Sequence, residues 1–129
     1  MSDASVLEQV SSVGFAPTLE RVVHAIESAG LSIFARIDHA AGALAAGLAM
    51  PPATVLVYGS PKGGTPIMLA TPLAALDLPL RVLIRERSDG SVTIAFHPAA
   101  AMLRQLGVPE DLATRRDPAQ RILAVAIQT

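Results

Sequence analysis

Apolar residues recur along this chain in two rhythms, and the switches between them outline its elements. The run Ser5 to Val10 is of strand length. Thr18 then reads as a helix N-cap, with Glu20 in the first turn, where the positive end of the helix dipole favours a carboxylate. Leu19, Val22, Val23 and Ile26 repeat at helical spacing, and Gly30 stands where a residue of positive φ closes a helix. Ser32 to Ile37 reads as a strand. Asp38 caps the next helix, His39 to about Leu48, whose surface is Ala and Gly on nearly every side until Met50-Pro51-Pro52 stops it. So smooth a helix is able to pack closely.

Thr54 to Tyr58 is a β-branched apolar run that empties into Gly59-Ser60-Pro61-Lys62-Gly63-Gly64, predicted as a shaped loop. Thr65-Pro66 and Thr71-Pro72 each carry the N-cap and N1 signal of a short helical piece before a strand at Leu80. Leu80 to Arg87 and Val92 to His97 flank Ser88-Asp89-Gly90, a hairpin whose register follows from side-chain sorting. A two-residue loop sets Arg85 against Ile94, mixing charge with core. A three-residue loop with Gly90 in the left-handed position instead pairs Ile84 with Ile94, Val82 with Phe96, Arg85 with Thr93 and Arg81 with His97. Pro98 opens a helix that Gly107 closes, and Asp117-Pro118 opens the last, with Ile122, Val125 and Ala126 predicted on one face.

Helices and strands interleave, yet one strand pair is a hairpin, so the sheet is antiparallel or mixed, with helices on one face: an α+β fold. The length, 129 residues, suits one domain over the whole chain. Half of the residues are hydrophobic (51%) and almost none aromatic (3%), which predicts a dense aliphatic core. A net charge of -1 with scattered basic residues argues against nucleic-acid binding. The absence of Cys removes disulfides, thiolate catalysis and the usual structural zinc sites. Residues 1–5 lack a basic region leading into an apolar run, so no secretory signal is expected and the cytoplasm is the expected location. Gly and Pro interrupt both long uncharged stretches before the ~18 apolar residues of a membrane span, and no membrane partner is expected.

Three places could carry chemistry. Asp38-His39 puts an acid beside an imidazole at a strand-to-helix turn, although the ordinary reading is a helix cap. The segment Ser60-Pro61-Lys62-Gly63-Gly64-Thr65 combines glycine amides, a following helix N-terminus and the chain's one lysine, a combination that could cradle an anion; its structural reading is a tight connection. It is not a P-loop, because Lys62 precedes Gly63 instead of following the last glycine. His24 lies on the polar face of the first helix beside Glu20 and Glu27, and His97 falls on the face opposite Val82 and Ile84. With three His in separate segments a metal site would have to be assembled wholly by the fold.

Asp38-His39, Tyr58-Gly59-Ser60-Pro61, Gly64-Thr65-Pro66-Ile67-Met68, Pro72 and Asp77-Leu78-Pro79-Leu80 together resemble the pattern of the domain of unknown function family numbered 302, over most of the chain. Ser60 stands where that family commonly has Asn, Ile67 where it often has Leu, and Arg81 where it often has Lys. The resemblance implies a TATA-binding-protein-like arrangement, a curved antiparallel sheet with helices packed on one side, and no established reaction. It also implies that the motif residues converge in space.

Two functions follow as expectations. One is a small-ligand site at which Asp38, His39, Ser60, Lys62, Gly63, Gly64, Thr65 and Met68 meet around an anionic group, with the cofactor, if any, open. The other is a homodimeric, non-catalytic interaction module that uses the His39 to Leu48 surface or the apolar Pro66 to Leu76 segment. A third reading, haem or metal carriage through His39 and Met68, has no motif behind it.

Overall fold

The computed structural model describes residues 6–128; residues 1–5, which bear on a secretory signal and on the start of the first expected strand, and residue 129 lie outside the described residues. Five strands, β1 (Leu7–Val10), β2 (Ser32–Asp38), β3 (Ala53–Gly59), β4 (Leu80–Glu86) and β5 (Val92–Phe96), form one sheet in the order β1-β5-β4-β3-β2. Every neighbouring pair is antiparallel. The helices are α1 (Phe15–Ser28), α2 (His39–Ala45), α3 (Pro61–Ala70), α4 (Ala99–Gln105), α5 (Glu110–Ala113) and α6 (Asp117–Ala126), with 3₁₀ turns at Pro72–Leu76 and Thr114–Arg116. The fold is α+β, as expected.

The two-residue period of a strand decides what is inside. Leu56 and Tyr58 of β3, Val82 and Ile84 of β4, and Ile94 of β5 are fully buried and pack against Val22 and Ile26 of α1 and Leu123 of α6. Each such aliphatic side chain contributes about 1.5–3 kcal/mol on burial. A second cluster, Ile67, Ala74, Leu103, Val108 and Ala113, joins α3 to α4 and α5. The opposite sheet face, with Val55, Val57, Leu83 and Ala95, forms an open trough reached by His39, Arg81 and His97.

The hairpin register is the predicted one: Ile84 faces Ile94, Arg85 faces Thr93, and Gly90 takes φ +88°. The start of α1, the end of α2 and the buried side of α6 differ in part from expectation. Helix α1 starts at Phe15, because Pro17 falls in the first turn, where no N–H is needed. Thr18 is therefore no cap: its N–H already bonds Gly14 O, and its buried hydroxyl donates to Val13 O (3.2 Å) and lies 2.6 Å from Ser11 Oγ. That leaves Glu20 beyond the first turn. Helix α2 ends at Ala45, three residues short of Leu48, as the chain turns through Gly47 at φ +81°, and none of its residues is buried, so the close packing expected of its smooth surface is not found in this chain. On α6, Ile122 and Ala126 pack half-buried against the core as expected while Val125 is 69% exposed, and the buried residues are Ala119, Leu123 and also the polar Gln120. Its amide accepts from Ala99 N–H and donates to His97 O, both at 2.9 Å, and so holds the start of α4.

Edge strand β1 is tied down by Glu8. Its carboxylate accepts from the Thr93 hydroxyl (2.7 Å) and from Arg85 Nε (3.1 Å), and pairs with Arg87 (3.3 Å). The Thr93 hydroxyl above all, then Arg87 and Arg85, hold the Glu8 carboxyl below the ordinary glutamate value of 4.5. A depressed native value stabilises the fold above that pH and loses its contribution as pH falls through the native value. Amide exchange in β1 is accordingly expected to quicken as pH drops below about 4.5, relative to β3, and to be quick already at neutral pH in Glu8→Gln. Unchanged β1 protection in that variant would refute the tie.

Candidate functional site

The carboxyl-terminal end of β3 departs most from the sequence reading. Ser60 is extended (φ -147°, ψ 129°) and Pro61 occupies N1, so α3 begins here and the glycine segment is the first turn of a helix, not a loop. The predicted start at Thr65-Pro66 lies five residues too late: the Ser60-Pro61 pair carries the same signal first. Gly63 N–H and Gly64 N–H both bond Ser60 O, at 3.1 and 2.9 Å, which closes the amide cradle expected at Gly63 and Gly64. The Ser60 hydroxyl makes no capping bond. Pro66 sits inside α3 and has no N–H to offer the Lys62 carbonyl.

A cavity of about 190 Å³ opens beside this junction. Gly59, Ser60 and Pro61 form one wall, Gly64, Thr65 and Met68 of α3 a second, and Leu78, Pro79 and Leu80 a third. The fourth belongs to Phe34. The β2–β3 register shifts between Ile33 and Ala35, so Phe34 is the extra residue of a bulge, and its ring turns toward Gly59.

Arg116 completes the lining. It ends the 3₁₀ turn before α6, and its guanidinium lies against Gly63: a Cβ built there would stand 2.3 Å from Nη2, 2.5 Å from Cζ and 2.8 Å from Nη1. Gly63 is thus needed for room, not for its own conformation. Arg116 Nε is shut off from solvent without a hydrogen-bond partner, and among the described residues no carboxylate pairs with Arg116. Burial lowers its affinity for its proton, an effect that nearby Tyr58 opposes. Burial raises the Tyr58 phenol well above its usual range, with Arg116 pulling the other way, so the phenol is neutral and supplies no countercharge. A guanidinium stays protonated in proteins, and this one faces an apolar cavity as an uncompensated cation.

The remaining sequence candidates stand elsewhere. Lys62 is exposed and does not line the cavity. Asp38 pairs with Thr54 while Ser32 pairs with Gly59, so antiparallel pairing sets the Asp38-His39 turn at the far end of β3, about 20 Å from Ser60 by strand rise. The expected convergence of the two motifs is therefore absent. Asp38 caps α2, its Oδ1 accepting from Ala41 N–H at 2.9 Å, and His39 lines the open trough with Arg81 and His97. His39 and Met68 likewise line different cavities, so they cannot hold one haem iron together. Among the described residues no group of three or more His, Asp or Glu is placed to hold a metal. His24 is exposed, 3.2 Å from Ser28 Oγ. Arg116 and Phe34 were not legible as site residues: one of nine arginines and one residue of a strand carry no motif.

The sequence profile of the domain of unknown function DUF302 matches residues 7–129. Among curated proteins, the fluoride-specific ion channel FluC 1 of Brucella suis biovar 1 is 36% identical over 115 residues, which cover 88% of this chain and 45% of that protein. The fluoride-specific ion channel FluC 2 of Brucella melitensis biotype 1 is also 36% identical, with 43% of its length covered. The chain thus spans less than half the length of these relatives. A crystal structure of the uncharacterized conserved protein DUF302 from Bacillus stearothermophilus superposes with a TM-score of 0.81 at 15% identity, over 95% of each chain, a likeness of fold. No helix among the described residues is long and apolar enough to cross a membrane.

A half-buried cation without an acceptor costs folding energy that an apolar isostere does not. Arg116→Met is expected to leave the fold intact and to raise its stability by about 1 kcal/mol, the lower end of the cost of an unsatisfied polar group given the partial exposure here. Urea unfolding measures this, and a loss of more than 1 kcal/mol, again on the order of one buried hydrogen bond, would show that Arg116 is a structural residue instead.

Proposed function

This chain belongs to the DUF302 family, and from that premise we propose that it is a ligand-binding module that takes a small anionic molecule in the cavity between the end of β3 and the start of α6. The observation that carries this reading is Arg116, a guanidinium at the wall of an apolar cavity with no carboxylate partner among the described residues and a buried Nε without an acceptor. A ligand anion supplies the missing charge. Ser60 and Thr65 offer hydroxyls beside it, Gly63 gives the guanidinium room, Gly64 and Met68 shape the wall, and Lys62 adds positive potential from the exposed side of α3. Asp38 and His39 have no part in this site. Fluoride passage is named for relatives more than twice the matched length, and the reading for this chain rests on its own cavity.

The homodimeric alternative draws support from one observation: Leu69, Leu73 and Leu76 are 79, 72 and 76% exposed on the Pro66 to Leu76 segment. Isolated exposed leucines are common, whereas three on one short stretch mark a surface that gains from being covered.

Native mass spectrometry of the purified protein, paired with amide NMR titrations by small anions, separates the readings. The ligand reading expects anion-dependent shifts at Ser60 to Thr65 that vanish in Arg116→Met. Shifts that persist in that variant, or none at all, defeat it. A dimer that Leu73→Glu dissociates supports the alternative; a monomer at high protein concentration defeats it.

A further inference from the structure

We infer that the ligand's anionic group is a carboxylate carried on an apolar body about the size of one six-membered ring; this rests on the ligand-binding reading above and narrows it to a chemical class. Three observations set the class.

Size comes first. An apolar cavity of about 150 Å³ holds benzene, whereas sites for drug-sized ligands and cofactors run from about 300 to 1,000 Å³. At about 190 Å³ this half-open cavity seats a ring or a branched chain with one small charged group between its walls.

Charge comes second. Among the described residues, Arg116 is the only cationic side chain in the lining. Of the amides at the start of α3, those of Gly63 and Gly64 are bonded to Ser60 O, and Lys62 does not line the cavity. A phosphate monoester carries about 1.5–2 negative charges at neutral pH, and one guanidinium leaves much of that uncompensated in an apolar site. A carboxylate carries one.

Geometry comes third. Nη2, Cζ and Nη1 lie at similar distances, 2.3–2.8 Å, from the position a Gly63 Cβ would take, so Gly63 covers the flat face of the guanidinium. The edge remains for the ligand, and a guanidinium edge matches the two oxygens of a carboxylate through parallel N–H bonds. Phe34, Met68, Leu78 and Pro79 then enclose the apolar body.

The test is a calorimetric and NMR titration of the whole chain with four probes: benzoate, benzamide, phenyl phosphate and sodium fluoride. Benzoate is expected to bind at the cavity at least tenfold more tightly than each of the others. Gly63→Ala, which keeps the guanidinium but displaces it, and Arg116→Lys, which keeps the charge but not the fork, are each expected to weaken benzoate at least tenfold with an unchanged amide spectrum elsewhere. If phenyl phosphate or fluoride binds more tightly than benzoate and needs Arg116, the carboxylate class is overturned and the anion site stands. If benzamide matches benzoate, or no probe binds, both fail. Unaltered benzoate affinity in Gly63→Ala and Arg116→Lys overturns the role of the guanidinium edge.

Discussion

The arrangement depends on one buried side chain, Tyr58. Strand periodicity turns it to the same face as Leu56, where its ring is fully enclosed, and a phenol hydroxyl taken from water must find an acceptor. It donates to Ala119 O at 2.9 Å, in the first turn of α6. That bond joins positions 61 residues apart and fixes the start of α6 over the end of β3. Gln120, the next residue of α6, fastens the same turn to Ala99 and His97. Arg116, just ahead of that turn, is thereby carried to the β3–α3 junction, against Gly63.

The consequence is an electrostatic one. Tyr58 is neutral, the Ser60 carbonyl is occupied by two helix amides, and the carboxylates of Glu8 and Glu110 are paired with other arginines. Nothing in the lining of the cavity balances the guanidinium. A fold selected only for stability has cheaper ways to fill that corner, methionine among them, since an apolar side chain of similar length needs no acceptor. The position makes physical sense when a mobile anion completes it.

What the sequence disclosed, and what it hid, divides along the range of the forces involved. The β4–β5 register was legible because a one-residue slip sets Arg85 against Ile94, and one buried face forbids that. Gly30 and the Asp38 cap were legible because positive φ and an orphan N–H are local demands. The start of α3 was misplaced because Ser60-Pro61 and Thr65-Pro66 carry one signal twice, and two glycines argue locally against the helix that tertiary packing through Ile67 imposes. The family pattern ran Asp38-His39 together with Gly59 to Met68, but a one-dimensional pattern does not say which end of an antiparallel strand each motif reaches. Arg116 entered through a contact across the fold that no local signal encodes.

Local rules in this protein are broken most densely in one place. Gly63 and Gly64 occupy a first helical turn, Pro66 interrupts the same helix, a bulge at Phe34 disturbs an otherwise regular ladder, and Arg116 Nε lacks an acceptor. Gln9 Oε1, the other buried side-chain atom without a partner among the described residues, stands alone on an edge strand with no such company. Sequences that fold well are consistent across levels, and concentrated departures from that consistency collect where a protein acts, since elsewhere they are removed as costs. Three of these residues, Gly64, Phe34 and Arg116, line the cavity: Gly63 behind them admits the guanidinium, and the bulge turns in the phenyl ring. The irregularities and the cavity therefore have one explanation, whereas a purely structural account of this corner needs a separate one for each.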